Sequence, residues 1–146
     1  MFVSGFTFVR NAIKFDYPIV EAIMSILPVC DEVIVAVGNS DDDTLREGGK
    51  VLAVETDKAL AAVSPKSDWC FYVQGDEVLH EQYLPTIHQA MQHNLNDLKV
   101  DGLLFNYQHF YGTYQYVADT HRWYRREIRV IRNTGKVTSY KDAQGF

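Results

Sequence analysis

Residues 69–77 read Trp-Cys-Phe-Tyr-Val-Gln-Gly-Asp-Glu, an apolar run that ends in a glycine and two carboxylates. A short, continuous apolar run is typical of a strand buried on both faces of a sheet. Carboxylates at the end of such a strand can hold a divalent cation against phosphates, and a neighbouring glycine lets a ligand approach the backbone. Asp76 and Glu77 are therefore candidate metal ligands. The alternative is a plain turn, because acidic residues after strands are common turn formers.

The segments around this run alternate between strand and helix patterns. Asp16 is the expected N-cap of the first helix, with Pro18 in its first turn and Pro28 at its end. The alternating order predicts an α/β fold with right-handed crossovers and a mostly parallel central sheet. The further predicted strands are residues 2–9 and 32–37, and the predicted helices are residues 19–27, 50 to about 63 (after Gly48-Gly49) and 81 to about 95.

Loops that follow parallel strands gather at one edge of a sheet, which is where ligands bind in such folds. Three loops are expected to meet there: residues 10–11, 38–44 and 74–77. The second loop contains Ser-Asp-Asp-Asp-Thr over residues 40–44, which is either a metal or ribose site or a solvated acidic turn.

The chain changes character after Val100. Residues 102–110 predict a long strand, residues 111–124 an aromatic and irregular connection, and residues 128–132 an alternating strand with its arginines on one face. Residues 1–100 carry seven basic against fifteen acidic residues, whereas residues 101–146 carry seven against four. Eight of the nineteen aromatic residues lie between Phe105 and Tyr124, so rings and cations share one stretch of an acidic protein.

Composition excludes several classes of protein. With 146 residues, of which 47% are apolar, the chain is expected to form one domain with a proper core. No apolar run approaches the ~18 residues of a membrane span. An overall pI of about 5.4 argues against a general nucleic-acid binder, so a small anionic ligand is the expected partner of the basic stretch. Cys30 and Cys70 lie in apolar segments without metal-ligand spacing, which favours core positions and a cytoplasmic location.

Four motifs, taken in order, resemble the nucleotide-sugar half of family 2 glycosyltransferases. No one of them is specific, but the ordered set covers residues 2 to about 95. The later run Arg-Trp-Tyr-Arg-Arg-Glu-Ile-Arg from residue 122 is similar to the arginine-rich acceptor-side strand of some bacterial members. The four motifs are Phe-Val-Arg-Asn-Ala over residues 8–12, Ser-Ile-Leu-Pro over 25–28, Cys-Asp-Glu-Val-Ile-Val-Ala-Val leading to Ser-Asp-Asp-Asp-Thr over 30–44, and residues 69–77.

The resemblance implies a GT-A fold, a Rossmann-like three-layer α/β/α arrangement with a mostly parallel central sheet. It divides the single domain 1–146 into a nucleotide-sugar half, residues 1–98, and the start of an acceptor half, residues 99–146. It implies Mn²⁺ or Mg²⁺ on the diphosphate of a UDP-, GDP- or dTDP-sugar. The implied residues are Asp76 and Glu77 for the metal, Arg10, Asn11, Ser40, Asp42, Lys50 and Gly75 for the donor, and Arg122, Trp123 and Arg126 for the acceptor or diphosphate.

The chain departs from the family pattern at three motif positions. Gln74 replaces the first aspartate of the D-x-D motif, Val37 lies where many members place a base-contacting aspartate, and Glu55 replaces a helix asparagine. The family also has a further helix and strand where Thr44 here runs directly into Leu45, and it continues well beyond residue 146. Two explanations of this gap are possible: the protein has lost one helix and an edge strand, or a segment has been omitted from the sequence. The family pattern resumes in register on both sides of the gap, which favours omission. An intact mass of 16.7 kDa for the purified protein would contradict omission.

The implied reaction is inverting transfer of a sugar to a hydroxyl of a saccharide or lipid-linked acceptor, in bacterial cell-envelope polysaccharide or glycolipid synthesis. The chemistry needs a base on the acceptor side, and the candidates are Asp119, Glu127 and Asp142, of which we choose Asp142. Association with the inner face of a membrane is expected to be peripheral at most. Two alternatives remain open: a non-catalytic nucleotide-sugar or carbohydrate binding protein with a degenerate D-x-D motif, and a nucleotidyl transferase.

Overall fold

The structure is a computed structural model that describes residues 1–38, 41, 52–140 and 146. Its helices are α1 (Ile19–Ile26), α2 (Leu52–Ala61) and α3 (Leu84–His93), with 3-10 turns at Leu27–Val29 and Glu81–Tyr83. Its strands are β1 (Val3–Val9), β2 (Glu32–Val37), β3 (Trp69–Tyr72), β4 (Gly102–Asn106), β5 (Phe110–Tyr111), β6 (Thr113–Val117) and β7 (Arg126–Arg132).

The main sheet of the described residues has five strands in the order β2-β1-β3-β7-β4. β1 pairs in parallel with both β2 and β3, as the alternating sequence pattern predicts. β7 pairs antiparallel with β3 and with β4. The α/β class is therefore confirmed, but the sheet is mixed because the last strand of the described chain inserts between β3 and β4.

Strand residues alternate between two apolar layers, one on each face of the sheet. Trp69 and Phe71 of β3 pack with Ala22 and Ile26 of α1 and with Met91 of α3. The intervening residues of β3, Cys70 and Tyr72, pack on the other face with Phe6 and with Ala59 of α2. Helices thus cover both faces of the sheet, which explains why β1 and β3 read as continuous apolar runs.

Trp69 links the sheet to the end of α3. Its side chain is completely buried and its indole N–H donates to the Met91 carbonyl at 3.2 Å. The Arg132 guanidinium lies 4.3 Å from the centre of the indole ring. Arg132 also donates hydrogen bonds to four carbonyls, that of the α3 C-cap Asn94 and those of Leu95, Asp97 and Val100 in the loop that follows. One arginine of β7 therefore caps a helix that ends more than thirty residues earlier.

Several local predictions were wrong. The N-cap of α1 is Pro18, without a side-chain cap, and Asp16 instead has a positive φ of 52° in the preceding loop. The strand predicted for residues 102–110 ends at Asn106, and the connection predicted to be irregular contains the hairpin β5–β6, which turns at Gly112 with φ 73°. Glycine adopts that left-handed conformation without steric cost, and the sequence analysis did not use this signal.

The arginines of β7 do not share one face. In the pairing of β4 with β7, Leu103 lies opposite Val130 and Leu104 opposite Ile128, so that Arg129 is an extra, bulged residue. Arg129 lies over Tyr72 on one face of the sheet, whereas Arg132 lies over Trp69 on the other. No helix within the described part of the chain is long and apolar enough to cross a bilayer.

Candidate functional site

The loops after β1, β2 and β3 meet at one edge of the sheet, as expected from parallel strands. The Asn11 side-chain carbonyl accepts a hydrogen bond of 2.7 Å from the backbone N–H of Asp41, which joins the first loop to the second. The Lys14 ammonium lies 3.8 Å from the Asp41 carboxylate. A Cβ on Gly75 would lie 3.6 Å from Ile19 and 4.0 Å from Tyr17, so the third loop contacts the first.

Asn11 has a structural reason to be an asparagine. Its backbone has φ 52°, a left-handed conformation that asparagine tolerates better than most residues, and its side chain is buried. Its amide oxygen is occupied by Asp41. The donor-binding role expected for Asn11 stays a prediction, and Arg10 next to it is exposed at the end of β1.

Asp76 lies in the turn after β3 with part of its side chain exposed. The surrounding protein removes water from the carboxyl group and raises its pKa, and the negative charge of Glu77 raises it further. A hydrogen bond to its own backbone opposes this rise, as do the charges of Arg129 and His109. Asp76 is therefore a carboxylate whose charge is poorly compensated by the protein, as expected of a group that awaits a cation.

Glu77 is bound on several sides. Its carboxylate accepts two hydrogen bonds from the Arg129 guanidinium, at 2.7 and 3.0 Å, and one of 2.7 Å from the Tyr107 hydroxyl. The Gln74 backbone N–H donates a fourth at 3.1 Å, which closes the turn that carries Asp76. The expected metal-ligand role of Glu77 stays a prediction. In the structure, the hydrogen bonds of Glu77 hold this turn in place.

Arg129 is the principal partner of Glu77. Only 3% of its side chain is exposed, and it lies between the rings of Tyr72 and Tyr107, 5.4 and 5.2 Å from their centres. Burial alone would lower the pKa of Arg129, but the hydrogen bonds and charge of Glu77 raise it, so the guanidinium stays charged. Because its guanidinium is buried in this pair, Arg129 is placed to hold Glu77.

Four rings extend the site from Glu77 towards the basic stretch. Tyr107 stacks on His109 with ring centres 5.6 Å apart, and His109 contacts Trp123 at 5.0 Å and Tyr124 at 4.6 Å. Burial and the charge of Glu77 raise the pKa of Tyr107, and the same two causes raise that of Tyr124 to about 12. Both phenols are therefore neutral hydrogen-bonding groups. No sequence motif indicated that Tyr107 would bind Glu77 or that His109 would stack on Tyr107.

The remaining predicted site residues divide into two groups. Trp123 and Arg126 line one cavity together with Asp119, whereas Arg122 is exposed and is not part of its lining. Asp119 forms an ion pair of 2.9 Å with Arg125, and Glu127 is half-buried on β7. Ser40, Asp42, Lys50 and Asp142 lie outside the described residues.

The two cysteines offer no nucleophile. Burial raises the pKa of both Cys30 and Cys70 to about 12, with the neighbouring charges of Asp31 and Glu32 adding to the effect. Thiols with such a pKa remain protonated at neutral pH and are poor nucleophiles.

With the described residues of this edge, a divalent cation would need a ligand that brings oxygens of its own. No group of three or more metal-ligating side chains occurs among residues 1–38, 41, 52–140 and 146. Mg²⁺ commonly binds through one or two carboxylates and the phosphates of a substrate. The partly exposed, poorly compensated Asp76 meets that requirement, and the bound oxygens of Glu77 contribute little to it.

No protein-family model matches this chain, and no curated protein matches it.

Proposed function

We propose that this protein is a glycosyltransferase of the GT-A type, which moves a sugar from a nucleoside diphosphate to a hydroxyl acceptor with inversion. The observation that carries the proposal is the Asp76 carboxylate at the end of a buried parallel strand, on a turn held by Glu77 and Arg129. The order of the sequence motifs and the meeting of three loops at that edge support it. In this proposal the mixed sheet is the core of a GT-A domain.

In the proposed reaction, Asp76 would hold Mn²⁺ or Mg²⁺, and the cation would supply positive charge to neutralise the leaving diphosphate. The acceptor oxygen attacks the anomeric carbon, the bond from that carbon to the diphosphate oxygen breaks, and a base takes the hydroxyl proton. We propose Asp142 as that base. Arg10, Asn11, Ser40, Asp42, Lys50 and Gly75 bind the donor in this proposal, while Arg122, Trp123 and Arg126 bind the acceptor or the diphosphate.

A non-catalytic sugar-binding protein is the second candidate function. Gln74 replaces one carboxylate of the motif, and Glu77 is paired with Arg129, so Asp76 is the one carboxylate of this turn without an ion pair to another described residue. A protein that kept the fold and lost turnover would show this pattern. Slow hydrolysis of a nucleotide sugar in the presence of Mn²⁺ distinguishes the two candidates, because an active transferase transfers sugar to water at a low rate and a binding protein does not.

The proposal is tested by the thermal stability of the protein with UDP, GDP or dTDP, each with and without Mn²⁺. A ligand that binds the native state raises the unfolding temperature. We expect one nucleotide to do so only with Mn²⁺, and we expect Asp76→Asn to abolish the effect. Glu21→Gln, which removes an exposed carboxylate on α1, is the matched control and should keep it. A Mn²⁺-dependent shift that persists in Asp76→Asn would refute the role of Asp76.

A further inference from the structure

A cavity of about 260 Å³ lies beside the candidate site and is lined from three segments within residues 106–109, 117–120 and 123–126. Backbone hydrogen bonds hold these segments together. The Tyr107 N–H donates to Arg125 at 2.9 Å, and the Ala118 N–H donates to His109 at 2.8 Å. The His109 ring nitrogen Nε2 lies 2.6 Å from the Tyr124 carbonyl oxygen. The cavity is therefore a built feature of the connection between β4 and β7.

The lining of the cavity combines ring faces with unused polar groups. Trp123 is 38% exposed there and packs against His109. The side chains of Asn106, Gln108 and Thr120 also line it, and none of them has a hydrogen-bond partner within the described part of the chain. Aromatic faces with a few convergent amide and hydroxyl groups suit the C–H faces and hydroxyls of a sugar ring. The volume is below the ~300–1,000 Å³ of pockets for drug-sized ligands, so it suits one ring and not a whole nucleotide sugar.

Of the two arginines that line the cavity, one has no ion pair within the described part of the chain. The Arg125 guanidinium forms an ion pair of 2.9 Å with Asp119. Arg126, at the start of β7 and opposite Asn106, has no ion pair or hydrogen bond with another described side chain. An exposed guanidinium in a cavity is suited to a carboxylate or phosphate, which it can bind through two parallel hydrogen bonds.

We propose that this cavity binds a single sugar ring carrying an acidic group, with Trp123 against the ring and Arg126 on the acid. Tyr107 joins the cavity to the candidate site, because its ring stacks on His109 and its hydroxyl donates to Glu77 beside Asp76. The cavity is placed to hold the acceptor sugar, and that assignment rests on the proposed function. The binding of the acidic sugar does not.

The two tryptophans allow a direct test. Trp69 is completely buried and Trp123 is exposed in the cavity, so acrylamide should quench Trp123 selectively. We expect methyl glucuronide or glucose 1-phosphate to protect the fluorescence from acrylamide, and methyl glucoside to protect it only at higher concentration. Arg126→Gln should weaken binding of the acidic sugars at least about tenfold, the usual effect of losing a charge-assisted hydrogen bond. Lys66→Gln, which removes an exposed cation elsewhere, should not.

The outcomes separate this inference from the proposed function. Equal protection by methyl glucoside and methyl glucuronide, or by inorganic phosphate alone, would overturn the acidic sugar as ligand, as would no protection at all. Protection by glucuronide alone or by the sugar phosphate alone identifies the acid group and supports the inference. If an acidic sugar binds while no nucleotide raises the unfolding temperature with Mn²⁺, the transferase proposal and the acceptor role of the cavity fail, but the binding of an acidic sugar stands. The reverse result overturns the cavity assignment only.

Discussion

The side chains of Asp76 and Glu77 are neighbours in sequence, but their surroundings differ. Glu77 is 13% exposed and is held by Arg129, Tyr107 and a backbone N–H, whereas Asp76 receives little compensation for its charge. A fixed turn that presents a carboxylate without an ion pair to any described residue is suited to bind a cation. The cost of that arrangement falls on the stability of the native protein.

Asp76→Asn should therefore stabilise the fold at neutral pH while it removes Mn²⁺-dependent nucleotide binding. The native pKa of Asp76 is raised above its unfolded value, so the protonated carboxyl stabilises the fold and this contribution is lost as the pH rises through the native pKa. Asparagine stays neutral at every pH. The variant should thus unfold at a higher urea concentration than the wild type at pH 7, and the difference should shrink as the pH falls towards the ordinary aspartate pKa of about 4. A less stable variant at pH 7 would contradict the prediction.

Arg129→Met should be among the most destabilising single substitutions. It leaves the Glu77 carboxylate buried without its main partner, which typically costs about 3–5 kcal/mol. Arg129→Lys keeps the charge but loses the paired hydrogen bonds, so it should cost less. Combining Arg129→Met with Glu77→Gln should recover part of the loss, because no unpaired charge remains. Urea unfolding of the four proteins measures this, and a double variant no more stable than Arg129→Met would show that the ion pair is not the cause.

Among the elements, β7 connects the turn after β3 with the end of α3. Arg129 and Arg132 are three residues apart on the strand and therefore face opposite ways, Arg129 to Glu77 and Arg132 to the C-cap of α3. The carbonyls at the end of a helix have no partners within the helix, and here one guanidinium supplies donors for them and for the loop that follows.

Arg132→Ala should destabilise the protein by roughly 2–3 kcal/mol, because it removes charge-assisted hydrogen bonds to several partly buried carbonyls. Arg132→Lys retains a cation near the Trp69 ring but cannot reach four carbonyls at once, so its effect should be intermediate. Thermal unfolding measures both. Equal stability of the lysine variant and the wild type would show that charge alone, rather than the geometry of the guanidinium, caps α3.

The sequence predicted the elements whose pattern is local. Continuous apolar runs predicted β1, β2 and β3, and the helical spacing of apolar residues predicted the apolar face of α1. The meeting of the loops follows from the parallel pairing of these strands. The sequence analysis did not predict that β7 lies between β3 and β4, because that order depends on contacts between distant residues. It also failed to predict the Glu77–Arg129 pair. A single arginine within the apolar run Ile-Arg-Val-Ile was the available signal, since a buried charge requires a partner.

Among the candidate site residues, sequence reasoning identified chemical type better than role. Asp76 lies where the motif predicted, in the turn at the end of a buried strand. Asn11 and Glu77 are present at the edge, but their hydrogen bonds hold loops together. The same residue type in a motif can bind a ligand or hold loops together, and only its neighbours in the structure distinguish these two roles.

For the whole molecule, the long separation between Glu77 and Arg129, 52 residues along the chain, has a kinetic consequence. Contacts between distant residues cost more chain entropy to form, so they tend to form after the local ones. The pairing of β1 with β2 joins residues only 28 apart, such as Ser4 and Glu32, so β1, α1 and β2 can assemble before β7 docks. Val3 of β1 and Val130 of β7 are equally buried in the same core cluster and form a matched pair for testing this order.

Val3→Ala should slow refolding, whereas Val130→Ala should mainly accelerate unfolding, because only the first removes contacts present at the rate-limiting step. Stopped-flow refolding in the Trp123→Phe background, where Trp69 is the remaining fluorophore, measures both rates. Equal slowing by the two substitutions would contradict late docking of β7. If β7 docks last, the turn that carries Asp76 acquires its fixed shape in the final step of folding, and a nascent or partly refolded chain cannot bind its ligand before then.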